Sequence, residues 1–129
     1  MAVLLRTSDH ATFVHVGDPS VKIPDPMPEV WPGPEANWLP AGGQPPEATR
    51  FVVRPLSPSD YSRVQDLYRD GDAAGGRALL AELGVVTIDG AKPDVAALAF
   101  GWEIELANLV SGVTLRPLAG LRLRSTANE

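Results

Sequence analysis

The sequence predicts an α+β protein: a small domain of three helices with a few short strands, plus a long Pro/Trp-rich extended N-terminal arm. Nine of the thirteen prolines fall between Pro19 and Pro46. Proline lacks the amide donor and fixes its own φ angle, so this stretch disfavours helix and central strand. From about residue 49 onward, apolar residues follow helix and strand spacing with ordinary capping signals. We therefore divide the chain into an N-terminal β-hairpin (1–18), the arm (19–48), an α+β globular domain (49–118) and a C-terminal tail (119–129).

Composition narrows the function classes. The 129 residues carry 16 acids against 11 bases, a formal charge of −5, and no cysteine. General nucleic-acid binding needs clustered lysine and arginine, so we expect no nucleic-acid partner. The absence of cysteine excludes disulfides and thiolate metal sites. The longest apolar stretch, around Val95 to Phe100, is interrupted by Gly101 and Glu103, so we expect no membrane span and a protein that is cytosolic or assembled from the cytosol.

The first 18 residues predict two short strands, Ala2 to Leu5 and Ala11 to Val16. Residues 7–10 between them have turn chemistry, which favours a hairpin. His10 and His15 are the only histidines. A zinc site would need a third ligand, such as Asp9 or Asp18, without helical i, i+4 geometry, so we expect two surface histidines instead. No metal or cofactor is predicted.

The arm is mostly polar and aperiodic, and Trp31, Trp38 and Leu39 are its exceptions. Disordered linkers are poor in aromatic residues, so two tryptophans need a packing partner. Two alternatives remain open: the rings pack back onto their own domain, or they anchor into another protein. We take Trp31, Trp38 and Leu39 as candidate partner-binding residues.

The globular part begins with a strand over Thr49 to Leu56, where Pro55 indicates a strand end. Ser57 and Pro58 then form an N-cap and first helical position, which predicts a helix to about Arg69. The residues expected on its buried face are Tyr61, Val64, Leu67 and Tyr68.

The rest of the domain continues as helix, strand and helix. The second helix is predicted from about Gly76 to Leu83, with Gly84 as its stop, and Val85 to Ile88 as a buried strand. The longest helix is predicted from Pro93 to about Ser111. Its expected buried positions are Val95, Leu98, Ala99, Trp102, Leu106, Leu109 and Val110. Within it, Gly101 suggests close packing, because glycine costs ~1 kcal/mol relative to alanine in a helix.

After Gly112, leucines alternate irregularly with other residues. This pattern is compatible with a last strand or with a second partner-binding arm. Arg116, Arg122 and Arg124 form a local basic patch there and complete the predicted partner-binding set. No nucleophile, base and orienting group can be assembled from the sequence, so we expect no enzyme. Glu103 and Glu105 are two residues apart on a helix and point to different faces.

Three segments resemble a known family. TRFVVRPLSPSDYSRVQDL resembles the opening of tail assembly chaperones and related small structural proteins of long-tailed bacteriophages. ALLAELGVVTIDG resembles their next helix, glycine stop and strand, and VAALAFGWEIELANLVSGVTLRPL resembles their closing helix. The resemblance covers residues 49–118. It implies a protein that assists assembly of a phage particle or forms part of it.

Resemblance and architecture together predict a non-enzymatic bacteriophage structural or assembly protein that binds tail or capsid subunits through its extended arm. Such a protein is expected to form homo- or hetero-oligomers and to be located in the virion, or in the host cytoplasm during assembly. The alternative is a cytosolic bacterial adaptor or regulatory protein that binds a single protein partner.

Overall fold

The computed structural model describes residues 8–24 and 37–115 and confirms the α+β class. Four short antiparallel strands form a sheet, and three helices pack with it. No helix within the described ranges is long and apolar enough to cross a membrane. In chain order the elements are β1 (Ala11–His15), β2 (Trp38–Pro40), β3 (Phe51–Val53), α1 (Pro58–Arg69), α2 (Ala73–Gly84), β4 (Val85–Ile88) and α3 (Phe100–Leu115).

The sheet has the order β2-β1-β3-β4, so β1 is an interior strand. Phe13 of β1 lies opposite Pro40 of β2 on one side and Phe51 of β3 on the other. A strand has only two edges, and both edges of β1 are used. The partner strand of the predicted N-terminal hairpin, Ala2 to Leu5, lies outside the described residues.

Successive side chains of β1 point to opposite faces of the sheet, and both faces are covered by apolar residues. Phe13 points into the main core against the helices, whereas Val14 points into a smaller cluster on the opposite face. The main core also contains Trp38, Phe51, Val53, Leu56, Val64, Leu80, Ala81, Val85, Leu106, Ala107, Leu109, Val110 and Val113. The smaller cluster consists of Val14, Val21, Leu39 and Ala48, with Val16 and Ala41 against it.

The loops around the smaller cluster come from the segment predicted to be an arm. Lys22 and Gln44 exchange two hydrogen bonds of 2.8 Å, from the Lys22 amide to the Gln44 side chain and from that side chain to the Lys22 carbonyl. Residues 19–24 and 37–48 thus belong to the domain, which corrects the boundary at 49 because backbone pairing and apolar burial both include them. Residues 25–36 lie outside the described part.

The first two helices follow their capping signals. The Ser57 hydroxyl accepts from the Asp60 amide at the start of α1, as predicted. The second helix begins earlier than predicted, since Asp72 caps it through the Gly75 amide. Of the expected buried face of α1, Val64 is fully buried, but Tyr68 is 42% exposed.

The longest helix is shorter at its start than predicted. Asp94 caps a 3-10 turn, Val95–Ala97, through the Ala96 amide, and Leu98 then has extended backbone angles. This bend lets Val95 and Leu98 reach the main core from a loop. The helix α3 begins at Phe100 and continues to Leu115, beyond the predicted end at Ser111.

Candidate functional site

An aromatic cluster lies where the ends of β1 and β2 meet the first turns of α3. The rings of Trp38 and Phe51 are 4.9 Å apart and nearly perpendicular, and Trp102 of α3 stacks on Phe51 at 5.6 Å. His15 adds edge contacts, 4.7 Å from Trp38 and 5.0 Å from Trp102. Aromatic pairs in such arrangements add about 0.5–1.5 kcal/mol beyond the burial of their area. The cluster therefore fixes α3 over the sheet.

His15 uses both of its ring nitrogens. Its Nδ1 accepts from the Gly17 amide at 2.9 Å, so the ring proton is at Nε2. Nε2 donates to the Glu105 carboxylate across 2.5 Å. One ring nitrogen accepts and the other donates, so both are hydrogen-bonded within the domain. The expectation of a surface histidine is wrong for His15, because its side chain is largely buried against two indoles.

Glu105 joins β2 to α3 at the same place. Its Oε1 also accepts from the Asn37 side chain at 3.0 Å, and its backbone carbonyl accepts from the Trp38 indole at 3.1 Å. Hydrogen bonds to charged groups contribute about 1.5–3 kcal/mol each. Glu105 is thus a structural acceptor shared by two strands.

An open depression of about 460 Å³ lies beside this network. Its lining residues are His15, Ala99, Gly101, Trp102, Ile104 and Glu105. A side chain added at Gly101 would meet no atom within 4 Å. Close packing within the described domain therefore does not explain this glycine. Gly101 leaves the outer surface of α3 without a side chain at this position.

The aromatic residues beside Gly101 are exposed. Phe100 is 65% and Trp102 39% exposed to solvent. The Arg77 guanidinium carbon lies 5.2 Å from the centre of the Phe100 ring, and Arg77 Nε is 3.4 Å from Glu103 Oε1. We call Phe100, Gly101, Trp102 and Ile104, together with the depression, the α3 surface. Adjacent exposed apolar side chains of this kind make the α3 surface a candidate binding surface.

Among the residues that the structure describes, Asp18 and Tyr68 have shifted pKa values, and neither side chain lines the depression. Amide donation from Thr49, and then from Ser20, holds the pKa of Asp18 below its ordinary value. Partial burial raises the pKa of Tyr68. The Asp18 carboxylate joins the loop at Ser20 to the chain at Thr49 through these two hydrogen bonds. The Tyr68 ring lies against Gly76, where α1 packs on α2.

The predicted binding residues divide into two groups. Trp38 and Leu39 are 0% and 2% exposed, so they cannot anchor another protein while the domain is folded. For Trp38 the structure follows the first of the two alternatives, packing onto its own domain. Trp31, Arg116, Arg122 and Arg124 lie outside the described residues.

Sequence reasoning missed the α3 surface. Trp102 is on the apolar stripe of the helix and was assigned to the buried face, and Phe100 was not singled out. A signal was nevertheless present. The helix FGWEIELANLVSGVTL has apolar residues on all sides and only two charges, more apolar surface than one helix can bury against one domain.

Within residues 8–24 and 37–115, no three histidine or acidic side chains are grouped so that they could hold a metal ion. No family model matches the chain, and neither the curated proteins nor the solved structures contain a match.

Proposed function

We propose that this chain is a non-enzymatic assembly or virion protein of a long-tailed bacteriophage that binds a tail or capsid subunit. The resemblance of residues 49–118 to tail assembly chaperones supports the phage assignment. The observation that carries the binding role is the α3 surface, where Phe100 and Trp102 flank an open glycine on a helix that is apolar on all sides.

The proposed binding surface is on α3, whereas the sequence predicted that the extended arm would bind the partner. Exposed tryptophan and phenylalanine side chains are enriched at the centres of protein interfaces, where they fill pockets of the partner. Gly101 allows a partner backbone to approach the helix closely, since no side chain stands above it. The ion pair and stacking of Arg77 hold the Phe100 side of the surface in place.

The experiment is co-expression of the full chain with each tail and capsid protein encoded in the same genome, followed by co-purification. Gly101→Arg places a long charged side chain on the α3 surface without a clash inside the domain. The matched control is Ile23→Arg, because Ile23 is 55% exposed and belongs to the predicted arm rather than to α3.

Co-purification of a tail or capsid subunit that is lost in Gly101→Arg and kept in Ile23→Arg would support the proposal. Loss of co-purification in Ile23→Arg alone would show that the arm, and not the α3 surface, binds the partner. Capture of a host cytosolic protein and of no phage subunit would overturn the phage assignment and favour the adaptor alternative.

A further inference from the structure

The helix α3 carries more apolar surface than the described domain covers. Phe100 and Leu115, at its two ends, are 65% and 55% exposed, and Trp102 is 39% exposed. Its inward residues, among them Leu106 and Leu109, are fully buried against the sheet and α2. A helix that is apolar on all sides normally has a second covering element on its outer face.

We propose that residues 116–129 of the same chain lie along the outer face of α3 and occupy the depression beside Trp102 in the free protein. This inference goes beyond the proposed function and does not depend on it.

Connectivity and reach both allow this arrangement. The segment continues directly from Leu115, the last residue of α3. The 16 residues of α3 span about 24 Å at 1.5 Å per residue. The 14 residues that follow reach up to about 45 Å when extended, so they can turn back and extend past Phe100.

The charge and the apolar residues of segment 116–129 are complementary to those of the α3 surface. The segment carries Arg116, Arg122 and Arg124 against one glutamate, whereas acidic residues outnumber basic ones in the described domain. Glu105 lies in the wall of the depression with its carboxylate partly exposed. The remaining lining is mainly apolar, and Leu118, Leu121 and Leu123 supply apolar side chains between the arginines.

Tethering favours the same chain over a second copy. A segment joined to its binding surface through a short connection has an effective concentration on the order of millimolar. At lower protein concentrations the attached segment therefore outcompetes the same segment of another molecule.

The first test uses acrylamide quenching of tryptophan fluorescence in the full chain carrying Trp31→Phe. Trp38 is fully buried, so the quenchable signal then reports Trp102. Replacing Leu118, Leu121 and Leu123 by serine should increase the quenching constant. A control with Ser125→Gly, Thr126→Ser and Asn128→Ser changes the polar end of the segment and should leave the constant unchanged. An equal constant in all three proteins would overturn the proposal.

The second test identifies the occupant. A photo-crosslinking residue at Ile104 of the full chain is irradiated in a mixture of isotope-labelled and unlabelled protein, and the linked peptides are analysed by mass spectrometry. Links to residues 116–129 within single-isotope molecules support the proposal. Links that join the two isotopes would show a second copy on the surface, and links to residues 1–7 or 25–36 would show another segment. Either result would overturn it.

Discussion

His15 of β1 donates through Nε2 to the carboxylate of Glu105 in α3, across 2.5 Å and 90 positions of sequence. The same imidazole accepts the Gly17 amide, which fixes its tautomer. A strand end and a helix are thereby held in one orientation, with two indole rings packed around the contact.

Removal of the Glu105 carboxylate should destabilise the domain. Glu105→Ala leaves the donors of His15 and Asn37 without their acceptor, which we expect to lower the free energy of unfolding by about 1–3 kcal/mol. Glu105→Gln retains an acceptor oxygen and should cost less. Urea denaturation measures both, with Glu82→Ala on the exposed side of α2 as control. A Glu105→Ala protein as stable as the control would refute the structural role.

Trp38 should behave as a core residue. Trp38→Ala removes a fully buried ring and its hydrogen bond to the Glu105 carbonyl, with an expected loss of about 3–5 kcal/mol in the free energy of unfolding. Trp38→Phe keeps part of the volume and should lose less. Thermal unfolding followed by circular dichroism gives the ranking. A nearly unchanged melting temperature in Trp38→Ala would restore the interpretation of Trp38 as a partner anchor.

Two glycines should respond in opposite ways to alanine. A Cβ at Gly84 would overlap the Val110 side chain where α2 crosses α3, and the strain should cost about 1–3 kcal/mol. A Cβ at Gly101 meets nothing within 4 Å, so Gly101→Ala should be neutral or stabilise by up to about 1 kcal/mol. The two variants are matched controls in chemical denaturation. Destabilisation by Gly101→Ala as large as that by Gly84→Ala would contradict the open space found at Gly101.

Asp18 should make stability depend on pH in the acid range. Its folded-state pKa is below the ordinary value of 3.8, because its carboxylate accepts the Thr49 and Ser20 amides. The stabilisation is therefore complete above pH 3.8 and is lost as pH falls through the lower folded-state pKa. Asp18→Asn should be less stable than wild type at neutral pH, and the difference should shrink below pH 3.8. Denaturation midpoints at a series of pH values test this, and a constant difference would contradict it.

Local signals in the sequence were sufficient for part of the fold. Ser57 and Pro58 predicted the start of α1, and Val85 to Ile88 were predicted as a strand, since capping and short apolar runs act between near neighbours. Asp94 also acts as a cap, but it caps a 3-10 turn where the long helix was predicted to start at Pro93. The extended backbone at Leu98 separates that turn from α3, with Val95 and Leu98 packed on the core.

The sequence by itself determined the α+β class and the position of most helices, because periodicity and capping are properties of a few consecutive residues. Only the tertiary structure decided that β1 is an interior strand, that Trp38 belongs to the core and that Phe100 and Trp102 are exposed. Each of these depends on contacts between distant segments, such as β1 with α3. A residue pattern along one helix shows which side chains are apolar but not which neighbours are available to cover them.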